Sequence, residues 1–210
     1  TNPPLDSIRE KRVFSLKTSL TPVVSLKDEP LTYPVYQLES PILMQNQYET
    51  LLKETTFKHI HLSLKIDTTL RDAVAKFRQS VIEATNEGVH IIILDDECEG
   101  KVIPSLMATS IAHEVLVKMG KRLEVRLILK CGDARLPIHF AMLLAYGGDF
   151  IYPYFCYHVI TKNVEDKETV LKNYLNGCKA ALLKQMAKMG ISTISSYRGS
   201  KVFEVVGLND

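Results

Sequence analysis

Apolar and polar positions fall into a regular rhythm only beyond about residue 45. A short helix is predicted over 46–54. From Phe57 to Leu64 the two classes alternate, the period of a half-buried strand. Leu70, Ala73, Val74, Phe77 and Val81 then fall on one helical face. Asp67 or Thr68 would cap that helix, and Asn86-Glu87-Gly88 would stop it. Val89 to Leu94 is continuously apolar, as expected of a parallel strand covered on both faces. A polar loop, 95–100, leads to a helix over 104–119, with Pro104 in its first turn and Gly120 beyond its end. Leu123 to Lys130 predicts a strand, and 134–146 a helix apolar almost all round. Gly147-Gly148 ends that helix, and Asp149 to Tyr152 is a further strand. Pro153 to Asn163 reads as a loop with a short aromatic run. A long helix comes next over about 165–189, its apolar face carrying Leu171, Tyr174, Leu175, Cys178, Leu182, Met186 and Met189. Ile191 to Ile194 predicts a last strand, and Ser200 to Val206 a last helix.

Five strands alternating with helices imply an α/β fold with a mostly parallel sheet. Five βα units are too few to close an eight-stranded barrel, so an open sheet or a partial barrel is expected. Residues 1–45 stand apart. Pro3, Pro4, Pro22, Pro30, Pro34 and Pro41 bar a long regular element there. A helical turn or two could form between Asp6 and Phe14; the rest reads as a segment wrapped over a neighbouring surface, with 46–210 as the βα core.

Composition narrows the function classes. The chain has 210 residues, 46% hydrophobic and 24% charged, enough to bury a core. A net charge of +2 without a basic stripe argues against nucleic acid. No apolar run reaches membrane-span length, and no signal-peptide pattern opens the chain. The cysteines, Cys98, Cys131, Cys156 and Cys178, are widely spaced with no C-x-x-C pair, which favours a reduced, cytoplasmic protein without structural zinc. Residue 1 is Thr and the end falls just past Gly207, so the chain reads as a domain excised from a longer one.

Candidate chemistry is sparse. His113-Glu114 opens a zinc-like H-E-x-x-H run, but Val117 stands where the second ligand should be. Ser105 is not in a G-x-S-x-G setting and reads as a local cap. No dinucleotide or Walker glycine pattern occurs. Asp95, Asp96, Glu97 and Glu99 could bind a divalent cation or form a solvated loop. Tyr152, Tyr154, Phe155 and Tyr157 could stack on a flat ligand or on a neighbouring domain. Arg198, before Gly199, could hold a phosphate or carboxylate, or could pin its own loop to an acidic residue.

Lys188-Met-Gly-Ile-Ser-Thr, Ser196-Tyr-Arg-Gly and Phe203-Glu-Val-Val-Gly-Leu resemble the junction before the flavin domain of the glutamate synthase large subunit. Thr1-Asn-Pro-Pro-Leu-Asp-Ser-Ile-Arg-Glu, Ser40-Pro-Ile-Leu, Ile103-Pro-Ser-Leu, Gly132-Asp-Ala-Arg, His139-Phe-Ala and Pro153-Tyr154 are similar to its central domain, in the same order. The pattern departs at Asp95, Glu97, Glu114, Ile138 and Tyr152. The resemblance implies a linking domain of an enzyme that makes glutamate from 2-oxoglutarate and glutamine. It implies no catalytic, cofactor or metal site in this domain, and inactivity when isolated. FMN and an iron–sulfur cluster would belong to the parent oxidoreductase. Expected partners are the amidotransferase and flavin domains, with a small electron-donating subunit as a further candidate. Ser196, Tyr197, Arg198 and Gly199 become candidate interface or ammonia-tunnel residues. The alternative is a free-standing α/β ligand-binding or flavin enzyme using Asp95, Asp96, Lys130 and Arg198 at the strand ends.

Overall fold

The computed structural model describes residues 10, 12–21, 36–54, 56–204, 206 and 207. Four strands form one parallel sheet in sequence order: β3 (His59–Ser63), β4 (Ile91–Asp95), β5 (Arg126–Lys130) and β6 (Phe150–Tyr152). Two-residue strands β1 (Thr18–Ser19) and β2 (Gln37–Leu38) pair antiparallel beside it. The helices are α1 (Gln45–Lys53), α2 (Leu70–Asn86), α3 (Ser105–Lys118), α4 (Pro137–Ala145), α5 (Tyr154–Thr161), α6 (Lys167–Met189) and α7 (Ile194–Tyr197).

The apolar run in β4 lies at the centre. Ile91, Ile92, Ile93 and Leu94 are all buried, each stabilising the fold by about 1.5–3 kcal/mol. In register, Leu62 lies beside Leu94, Leu94 beside Leu129, and Leu129 beside Ile151. One step further the row turns polar, running Ser63, Asp95, Lys130, Tyr152. This is the C-terminal end of the sheet, where such folds place their ligands.

α2 buries Ala73, Phe77, Val81 and Ala84 but leaves Leu70 exposed, because the helix begins at Leu70. Its cap is Thr69, whose hydroxyl accepts from the Asp72 N–H at 3.2 Å, rather than Asp67 or Thr68. Asp166 caps α6 in the same way, and Gly190, at φ +71, ends it. α4 buries Phe140, Ala141, Leu143, Leu144 and Ala145, as its all-round apolarity predicts.

Three expectations are corrected. Residues 154–161 are helical rather than loop; the buried Tyr157 hydroxyl donates to the Leu43 carbonyl at 2.9 Å, and this contact outweighs the aromatic, strand-like composition. The fifth strand reduces to one parallel bridge, Ser15 to Thr193, and Ile194 begins α7 instead. No described residue in 200–206 is helical; Lys201 holds φ +50 and its N–H is bound to the Ala145 carbonyl at 3.0 Å.

Several described residues before Gln45 pack on the core, among them Phe14, Leu16, Leu20, Ile42 and Leu43. Ile42 bridges Ile151, the Leu43 N–H donates to the Ile151 carbonyl, and Tyr48 stacks on Tyr152 at 4.5 Å. This segment covers the outer edge of β6. Residues 10, 12 and 13 are helical; the rest of the turn expected over 6–14 lies, with Pro22, Pro30 and Pro34, outside the described residues, apart from Phe14, which is not helical.

Candidate functional site

Polar side chains gather at the two ends of the sheet. At the C-terminal end Lys130 donates to Asp95 Oδ2 at 2.9 Å, pairs with Glu97, and lies 5.5 Å from the centre of the Tyr154 ring. Burial alone would lower the Lys130 pKa, but its bonds to Glu97 and Asp95 outweigh it and hold it above the usual lysine range. The ammonium is held between two carboxylates. His61 Nδ1 lies 3.3 Å from the same Asp95 oxygen.

Asp96 points the other way. Its carboxylate accepts from the Gly132 N–H at 2.8 Å and from Ser105 Oγ at 3.4 Å. Burial raises its pKa. Asp133 accepts from the Ser105 N–H at 3.4 Å, so two carboxylates face the first turn of α3. Asp95, Asp96 and Glu97 are thus committed to one lysine and one helix start. Among the described residues no three His, Cys, Asp or Glu side chains are placed to hold a metal ion.

The N-terminal end carries a denser cluster. Asp149, fully buried, precedes β6. One of its oxygens accepts from the Leu127 N–H at 2.8 Å and from Arg122 Nη2 at 2.7 Å. The other meets Arg198, with Arg126 Nη1 at 3.6 Å. Burial alone would raise the Asp149 pKa, but Arg122, Arg198 and Arg126 hold it below the usual range. One carboxylate faces three guanidiniums. Arg122 also donates to the Val125 and Gly147 carbonyls, and Arg126 to the Thr21 carbonyl at 2.7 Å. Arg126 Nε is buried with no hydrogen-bond partner among the described residues.

His113 completes the cluster. Its Nδ1 accepts from Arg122 Nε at 2.9 Å, which fixes the neutral ring with its proton on Nε2. Burial and the Arg122 charge push its pKa down to about 4. Gly147 and Gly199 make room for this side chain: a Cβ on Gly147 would meet His113 Cβ at 2.6 Å, and one on Gly199 would meet Cε1 at 2.9 Å. Glu114, its neighbour, is a surface residue paired with Lys118 at 2.6 Å and Arg78 at 3.7 Å.

The residues at 196–199 divide between surface and interior. Ser196 is exposed and its N–H meets Thr193 Oγ1 at 3.4 Å, while Tyr197 is wholly buried. Arg198 binds Asp149, the loop-pinning alternative. The Gly199 N–H donates to the Leu144 carbonyl at 3.1 Å. Asp95 and Lys130 pair at the strands' C-terminal ends, but Asp96 turns toward Gly132 and Ser105 and Arg198 lies at the opposite end with Asp149, so the four-residue site of the alternative reading is not assembled. Sequence reasoning misses Asp149, Arg122 and Arg126. Their signal is charge at the mouth of continuous apolar runs, where a buried pair is needed.

Consecutive parallel strands with intervening helices define an open α/β fold like part of a TIM barrel. The fold is similar to flavocytochrome b2 with benzoylformate (TM-score 0.55, 12% identity, 80% of this chain and 46% of that one). It is similar also to the flavin-binding domain of baker's yeast flavocytochrome b2 (TM-score 0.51, 14% identity, 80% and 42%). At these identities the likeness is one of fold. The glutamate synthase central domain family matches residues 1–209, and the chain belongs to that family. It is 34% identical to the NADH glutamate synthase of Saccharomyces cerevisiae over all of this chain and 11% of that protein. It is 34% identical to the NADPH glutamate synthase large chain of Azospirillum brasilense, over 15% of its length, and 31% identical to the ferredoxin-dependent enzyme of Cyanidium caldarium. The chain therefore spans about a seventh or less of the relatives it matches. No helix among the described residues is long and apolar enough to cross a membrane.

Two of the groups that could hold a flavin at the C-terminal end of this sheet are already committed. The flavin phosphate needs free N–H groups or cations. Here the first turn of α3 already faces Asp96 and Asp133, and Lys130 is held by Asp95 and Glu97.

Proposed function

We propose that this chain is the central linking domain of a cytoplasmic glutamate synthase, an oxidoreductase that makes glutamate from 2-oxoglutarate and glutamine. It forms one unit over 1–210, with 1–45 wrapped on a βα core. It holds an amidotransferase domain against a flavin domain and lines part of the ammonia path between them. It binds no cofactor itself; FMN and an iron–sulfur cluster belong to the parent, which a small electron-donating subunit serves. Alone it is inactive.

The full-length family match supports the parent assignment. The observation that carries the linking role is the anchoring of 193–203. Ser15, Leu144, Ala145 and Asp149 bind this segment from beneath, through Ile194, Gly199, Lys201 and Arg198 respectively. A join held so firmly gives a fixed direction to the chain that leaves it. Ser196 faces outward as an interface residue, with Tyr197, Arg198 and Gly199 setting its position. The test is to express the complete reading frame and assay glutamate formation. Synthesis from both substrates is expected. A yellow 1–210 fragment with stoichiometric flavin would overturn the assignment.

A further inference from the structure

We propose that the cluster around Asp149 binds one monatomic anion, chloride, at the Nε of Arg126. Three guanidiniums, those of Arg122, Arg126 and Arg198, share this single carboxylate. Among the described residues Asp149 is the only carboxylate whose charge acts on Arg126. His113 adds no negative charge, because its neutral ring already accepts from Arg122. The cluster therefore carries an excess of positive charge in a place largely shielded from water. Unbalanced charge there is costly, and an anion held beside it offsets that cost.

The excess falls on Arg126. Arg122 is well occupied, since it donates to His113, to Asp149 and to the Val125 and Gly147 carbonyls. Arg198 meets Asp149 directly. Arg126, with a side chain only 5% exposed, stands 3.6 Å from the same carboxylate, too far for a hydrogen bond. Its one side-chain hydrogen bond among the described residues runs from Nη2 to the Thr21 carbonyl. Its buried Nε makes none. Water would take this N–H but would leave the excess charge standing.

The geometry also selects the class of anion. Carboxylates and phosphates take a guanidinium through two parallel N–H bonds. Here Nη2 is bound to Thr21 and Nη1 leans toward Asp149, so Nε remains as a single donor. A spherical ion that accepts from one N–H suits it, and a planar oxyanion does not. The Arg122 and Arg198 side chains keep 12% and 18% of their surface exposed, which gives the ion a way in from solvent. Once bound, it offsets the repulsion between Arg126 and Arg198. It thereby steadies the segment leaving α7, whether or not this domain has the linking role proposed above.

Two measurements on the full-length protein test this. Anomalous diffraction from crystals grown in bromide is expected to show a peak within hydrogen-bond reach of Arg126 Nε. Bromide peaks at other places alone would overturn the site. In solution, hydrogen exchange is compared in chloride and in gluconate at equal ionic strength. Amides of residues 126–130 are expected to exchange about threefold more slowly with chloride at twice its dissociation constant. Arg126→Met is expected to exchange equally in the two salts; because each protein is its own reference, a less stable variant still gives the answer. Equal exchange of the wild type in both salts would contradict the proposal. So would slowing spread evenly along the chain, the mark of a general salt effect, or slowing that persists in Arg126→Met.

Discussion

Arg198 and Asp149, 49 residues apart, form an ion pair whose carboxylate is wholly shielded from water. The pair ties the segment leaving α7 to the start of β6. The same carboxylate faces Arg122 and Arg126. Removing its charge leaves three shielded cations facing one another. Asp149→Asn is expected to destabilise the protein by about 3–5 kcal/mol, measured by urea unfolding. Arg198→Met, which leaves Asp149 two guanidiniums, should cost less.

The His113 pocket makes a steric prediction. Gly147 holds φ +115 with its Cβ position 2.6 Å from the His113 Cβ. Gly147→Ala should therefore cost about 3 kcal/mol or more. Gly199→Ala, at φ +69 and 2.9 Å, should cost about 1–3 kcal/mol. Gly177 is the contrast: it lies inside α6 with nothing within 4 Å. Gly177→Ala should stabilise by about 0.5–1 kcal/mol. Thermal melts of the three variants check the ranking.

His113 also sets a pH dependence. Its folded pKa of about 4 lies below the ordinary histidine value of 6.5. Between these values the unfolded chain takes up a proton that the folded ring refuses. Stability is full above about pH 6.5, falls as the pH drops, and levels off below about pH 4. The ring is half-buried and partly screened by solvent, so the loss is about 1–2 kcal/mol. Asp96, whose pKa is raised by burial, acts in the opposite sense near the bottom of that window. The difference between wild type and His113→Asn isolates the histidine: the variant's unfolding free energy should change less from pH 6.5 to pH 4.

Lys130 supplies a test at the other end. It holds Asp95 and Glu97, and Glu97 is largely exposed. Lys130→Met should therefore cost about 1–2 kcal/mol, less than a fully buried pair would. Chemical denaturation at low and high salt should show a small salt effect, because Asp95 is mostly buried.

Much of the sheet is legible in the sequence because β4, β5 and β6 are buried on both faces and β3 alternates. The run ending in Leu94 and the helix containing Phe140 can be read without neighbours. The aromatic stretch from Tyr154 could not: its residues favour strands, and the helix depends on contacts such as Tyr157 to Leu43, 114 residues away. The last predicted helix failed for a related reason, since Lys201 takes a positive φ to bond Ala145. Arg198 was visible as important, with its two alternatives open. What chooses between them is Asp149, and nothing local in either segment announces the other.

The most direct test of the linking role is the stoichiometry of the full-length protein, as glutamates formed per glutamine consumed. The account predicts two for the wild type, and a fall toward one in Arg198→Met as ammonia escapes before it is used. A ratio unchanged by loosening this join, in a protein that remains folded, would contradict it.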